Sequence, residues 1–117
     1  MKKKVLRKFK VTQDLTGTPL DFTTETADGG PLTHNFKLVS VHIHLSAAVS
    51  PTIAVNRVSA DGVNYNTPFD TTTLAGNDDY ILEKAEGEGI CIAGDQIGIT
   101  ITAVVATCYV TLIVEDI

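Results

Sequence analysis

The chain has 117 residues, 44% of them hydrophobic and 20% charged, which is one domain's worth and enough to bury a core without staples. No apolar stretch approaches the roughly 18 residues of a membrane-spanning helix, and no apolar segment of a secretion signal follows the basic start, so neither a membrane nor a secretory route is expected. The net charge of −5 conceals a split: residues 1–10 carry six basic side chains, whereas the other 107 carry three basic and fourteen acidic ones, a balance of −11 that argues against direct nucleic-acid binding.

The first predicted element is this basic segment, "MKKKVLRKFK". Lys2, Lys3, Lys4, Arg7, Lys8 and Lys10 read either as an arm that docks on an acidic surface or as an edge strand whose lysines block sheet-to-sheet aggregation. Val5, Phe9 and Val11 can share one strand face. The chain therefore divides into residues 1–12, a basic N-terminal arm or edge strand, and residues 13–117, a single β-sandwich domain.

Further strands are expected near 20–24, 36–46, 52–59, 64–69, 79–84 and 90–92, with a long run over 97–115 that folds in two near Val104–Ala106. The sixteen Thr, twelve Val and ten Ile are strand formers, and no helical period competes with them. Alternation puts Val39, Val41, Ile43 and Leu45 on one face, with Ser40, His42, His44 and Ser46 on the other. It groups Ile97, Ile99 and Ile101, and then Val110, Leu112 and Val114. Turn candidates rich in Gly, Pro, Asp and Asn separate these runs at short intervals. Within "SADGVNYNTPFDTTTLAG", Asp61-Gly62 reads as a turn, Asn64–Phe69 as a strand and Thr71–Gly76 as a connection. The fold class is all-β: an antiparallel, jelly-roll-like β-sandwich of about eight strands.

The chemistry-bearing residues point away from catalysis. His42 and His44 stand at i and i+2 on one strand face, as two metal ligands would. They resemble the His-x-His pair of the cupins, but no closing Glu or His follows at that family's spacing, so no metal and no cofactor are expected. No pair of carboxylates reads as a facing acid/base couple, and neither Cys91 nor Cys108 has a nearby His. Both cysteines read as buried, reduced thiols. A sugar-stacking platform would have to come from Tyr65, Tyr80 and Tyr109. Assembly is better represented: Val104 and Val105 at a bend, an outward Ile113, and His42 and His44 form a candidate subunit interface.

"VSADGVNYNT", "TTTLAGNDDYIL", "AGDQIGITIT" and "CYVTLIVED", in that order, resemble small jelly-roll virion proteins of tailed bacteriophages. The resemblance spans about residues 36–117. It departs where "AVVA" replaces the polar turn often found before the last strand. It implies a non-enzymatic structural protein of the virion, assembled in the host cytoplasm. Its first form is a capsid decoration (cement) protein bound to the major capsid protein; neck, tail or fibre components come next. It also implies a homo-oligomer, with a trimer favoured. The basic arm and acidic body suit such a role, with Lys2–Lys10 reaching the shell, and deleting residues 1–10 is expected to abolish attachment without unfolding the domain. A carbohydrate-binding jelly-roll module is the alternative from another class.

Overall fold

The computed structural model describes residues 5–85 and 87–117. Lys2, Lys3 and Lys4 lie outside the described residues. The described chain forms nine strands: β1 (Val5–Asp14), β2 (Leu20–Thr23), β3 (Phe36–Val49), β4 (Thr52–Val58), β5 (Thr67–Thr73), β6 (Asn77–Glu83), β7 (Ile90–Cys91), β8 (Gln96–Ile101) and β9 (Thr107–Asp116). The larger sheet has the order β1-β9-β3-β6, with β7 also paired to β3, and the smaller has the order β2-β8-β4-β5. Every pairing is antiparallel. The two sheets form an antiparallel β-sandwich.

Period-two alternation builds its interior. Phe9 on β1, Val41, Ile43 and Leu45 on β3, and Cys108, Val110, Leu112 and Val114 on β9 face Ile53 and Val55 on β4 and Ile97, Ile99 and Ile101 on β8. Removal of this apolar surface from water is the main stabilising term, at roughly 25 cal/mol per Å². On β3 the alternation slips between Leu38 and Val41. Phe36 and Leu38 are buried, yet so is Val41, and the β3–β9 register shifts between Leu38 and Ser40. Val39 occupies that bulge and is only half-buried, so it leaves the apolar row in which strict alternation places it.

The basic segment is built into the fold. From Val5 to Asp14 it pairs residue for residue with β9, and Phe9 is 3% exposed. Deleting residues 1–10 would remove six paired residues and a core phenylalanine, so this part of the arm does not detach freely.

The stretch from Ser59 to Gly76 also differs from expectation. Gly62 has a φ of +121°, which L side chains rarely adopt, and Val63–Tyr65 form a short 3₁₀ turn where a strand was expected to start. Asn66 Oδ1 accepts the Ser59 N–H at 2.8 Å and closes the corner. The strand then begins at Thr67 and continues to Thr73, because Thr71–Thr73 pair with Ala54, Ile53 and Thr52. The partner strand thus converts a polar threonine run, expected as a connection, into ladder.

Two polar clusters fix how the layers meet. Gln96, 6% exposed, accepts from Thr24 Oγ1 (2.7 Å) and Leu32 N (3.1 Å) and donates to the carbonyls of Leu32 (3.2 Å) and Gly94 (3.4 Å). It anchors the long connection from β2 to β3. At one open side, Tyr80 on β6 reaches across to Asp70 on β5, and its hydroxyl donates to the carboxylate at 2.6 Å.

Candidate interaction face

The outer face of the larger sheet is a grid set by strand register. One row holds Leu6, Glu115, Lys37 and Ile90 on β1, β9, β3 and β7. The next holds Lys8, Ile113, Ser40 and Glu83, on β1, β9, β3 and β6. Lys10, Thr111, His42 and Ile81 follow, and then Thr12, Tyr109, His44 and Asp79. These residues share a face because their alternate neighbours fill the core. Leu6 (61% exposed), Ile81 (59%), Tyr109 (47%) and Ile90 (46%) leave apolar surface in water among the charges.

At one corner His42 Nε2 donates to Asp79 Oδ1 at 2.8 Å, and His44 Nδ1 lies 3.5 Å from the same oxygen. The His44 ring stacks on Tyr109, with centroids 6.2 Å apart. The His42 hydrogen bond holds the Asp79 carboxyl below its usual range. This carboxylate is the partner that the sequence around the His-x-His pair did not reveal, because it arrives from β6, thirty-seven residues away. Even so, no group of three or more His, Cys, Asp or Glu among the described residues is arranged to hold a metal ion.

The remaining candidates distribute as follows. Lys8 and Lys10 stand exposed on this face, whereas Arg7 has the opposite parity and forms a two-toothed ion pair with Asp116, with Nε at 3.1 Å from Oδ1 and Nη2 at 3.0 Å from Oδ2. Ile113 joins His42 and His44 on the grid and is half-buried by its neighbours. Val104 and Val105 do not lie on it. They belong to the connection between β8 and β9, where Val104 N donates to the Leu15 carbonyl and Val105 is 77% exposed. The candidate interface residues therefore fall into two places.

The three tyrosines do not form one platform. Tyr80 is buried with its hydroxyl committed to Asp70, Tyr65 sits on the 3₁₀ turn, and Tyr109 is on the outer grid. Cys91 and Cys108 are free and buried. Burial, with Asp95 adding to it, pushes the Cys91 thiol up to about 12, and burial also raises Cys108, so neither is poised as a nucleophile.

Leu6, Lys37, Ile81 and Ile90 were not singled out from the sequence. Their alternation parity was readable, but which strands lie side by side was not. Comparison with protein-family models, with curated proteins and with solved structures finds no match to this chain, so the virion resemblance stands on its turn-and-strand pattern alone.

Proposed function

We propose that this chain is a non-enzymatic structural protein of a bacteriophage virion, with a jelly-roll fold, that attaches to the major capsid shell. The observation that carries the reading is the strand order. The orders β1-β9-β3-β6 and β2-β8-β4-β5 interleave the first and last halves of the chain, as two nested Greek keys do. Jelly rolls of this kind build viral capsid and lectin domains. The chemistry fits a contact role: the outer face is broad and mixes exposed aliphatic groups with charges of both signs, a composition suited to protein surfaces.

Attachment is assigned to the basic N-terminal segment, against an acidic surface of the shell. Because β1 belongs to the sandwich, the informative variant is a charge reversal of Lys2, Lys3 and Lys4 that leaves the strand whole. Purified protein should co-sediment with shells lacking it, and K2E/K3E/K4E should not. Mass spectrometry of particles made by the encoding genome tests the wider reading, and absence of the chain from those particles would overturn it.

A further inference from the structure

We propose that the outer face of the larger sheet seats a second copy of this chain, face to face, about a two-fold axis that runs parallel to the strands between β9 and β3. The inference rests on the grid and not on the virion role, and its symmetry is two-fold where the family resemblance favours a trimer.

One symmetry operation brings opposite charges on this face together. Such an axis exchanges the outer columns and keeps the rows. It lays β1 of one copy over β6 and β7 of the other, and β9 over β3. In the first row Leu6 then meets the second copy's Ile90, and Glu115 meets its Lys37. In the second row Lys8 meets Glu83. In the third, Lys10 lies over Ile81, between the acidic side chains of Asp79 and Glu83 on the same strand. In the fourth, Thr12 meets Asp79 and Tyr109 meets His44. Leu6 and Ile90 thus cover each other, and acids fall opposite or beside bases. The other in-plane two-fold, perpendicular to the strands, sets β1 over β1 and β6 over β6. With that axis between the second and third rows, Lys8 falls on the second copy's Lys10, and Glu83 falls between its Asp79 and Glu83, like charges whose juxtaposition costs several kcal/mol in an interface.

The size is adequate. Four strands about 4.8 Å apart and four rows about 6.8 Å apart make a patch of roughly 19 × 27 Å. The accessible area of such a side-chain-covered patch exceeds its projection of about 500 Å², which brings it near the roughly 800 Å² per partner of a standard interface. A closed two-fold contact is also isologous, so it ends at two copies. Aligned face-to-face packing is a normal relation between twisted sheets.

The test is the solution mass of the full chain by sedimentation velocity and light scattering, from about 1 to 100 µM, a range bracketing modest affinities. The wild-type chain should be a dimer at the upper end. K8E/K10E and D79K/E83K should each weaken self-association by about 100-fold or more, because each places like charges opposite one another twice. Mixing the two variants should restore a dimer containing one of each, as should the quadruple variant by itself. Far-UV circular dichroism with a melting curve identifies any variant that has not folded, and I81D then provides an independent disruption of the same face. A wild-type chain that stays monomeric throughout overturns the proposal. So does a dimer indifferent to both reversals, or a trimer. Loss of shell attachment in K2E/K3E/K4E with the dimer intact separates this contact from the one proposed for attachment.

Discussion

Replacing Gln96 with leucine should destabilise the protein by about 2–3 kcal/mol, a sizeable share of the roughly 5–15 kcal/mol that holds a domain folded. The magnitude follows from what the amide leaves behind. Its four hydrogen bonds end on the Thr24 hydroxyl, the Leu32 N–H, the Leu32 carbonyl and the Gly94 carbonyl. The Leu32 carbonyl keeps the Gly94 N–H at 3.2 Å. Thr24 is 0% and Leu32 2% exposed, so the Thr24 O–H and the Leu32 N–H are the two groups that lose their partners where water does not reach, at about 2 kcal/mol each. Gly94 is exposed and can turn to water. Leucine returns about 1.5 kcal/mol through apolar burial, which leaves a net loss of about 2–3 kcal/mol. The comparison is Thr24→Val, which strands the Ile97 N–H bonded to the Thr24 hydroxyl at 3.0 Å and should cost about 1–2 kcal/mol. In the double variant the Thr24 hydroxyl is no longer left unpaired, so the combined loss should fall short of the sum by about 1 kcal/mol. Urea titrations followed by circular dichroism measure all three. A Gln96→Leu protein within 1 kcal/mol of wild type, or strict additivity, would refute the claim that this buried amide holds the β2–β3 connection.

Tyr80→Phe should cost about 1–2 kcal/mol at neutral pH, since it removes a hydrogen bond to a partly buried carboxylate. That bond, and then the one from Thr72, lowers the Asp70 pKa, while burial and then Asp70 raise that of Tyr80. The carboxylate's share is therefore present above its ordinary value near 4 and lost as pH falls through the depressed one. The phenol's share is complete below about 10 and lost as pH rises through the elevated one. The wild-type advantage over Y80F should be widest between these limits, and denaturation curves at pH 3, 7 and 10.5 that show a constant gap would contradict it. Phe9→Ala should cost about 3–4 kcal/mol by emptying a core position, whereas K8E/K10E should change the unfolding midpoint of the isolated protomer little. A Phe9→Ala protein as stable as wild type would return the segment to the status of a loose arm. Cys91 and Cys108 should resist a thiol-directed chromogenic reagent in the native state and react in full in denaturant. Their raised thiol pKa values predict stability that is complete below the ordinary thiol range and falls as pH climbs toward 12, readable in the melting temperature.

Much of the architecture was legible before any tertiary contact was known. Alternation alone placed Ile97, Ile99 and Ile101 inward and Ile113 outward, because a strand's side-chain period is two whatever lies beside it. Gly- and Pro-containing turns marked the strand ends for the same local reason. Three things escaped that local logic. Val39 left the inward row because β3 and β9 meet across a bulge, which no single-strand pattern encodes. Thr71–Thr73 became strand because β4 runs alongside them, and Tyr80 left the surface because its hydroxyl found Asp70 across the sandwich.

The candidate face divides along the same line. The amino-acid sequence by itself determined that His42 and His44 project together and that Lys8 and Lys10 share a side of their strand, since both follow from backbone geometry over a few residues. Only the tertiary structure decided that Asp79 stands beside the histidines, that Arg7 is spent on Asp116, and that basic and acidic columns border one face. Those facts depend on strand order and register, which are set by contacts between segments scores of residues apart.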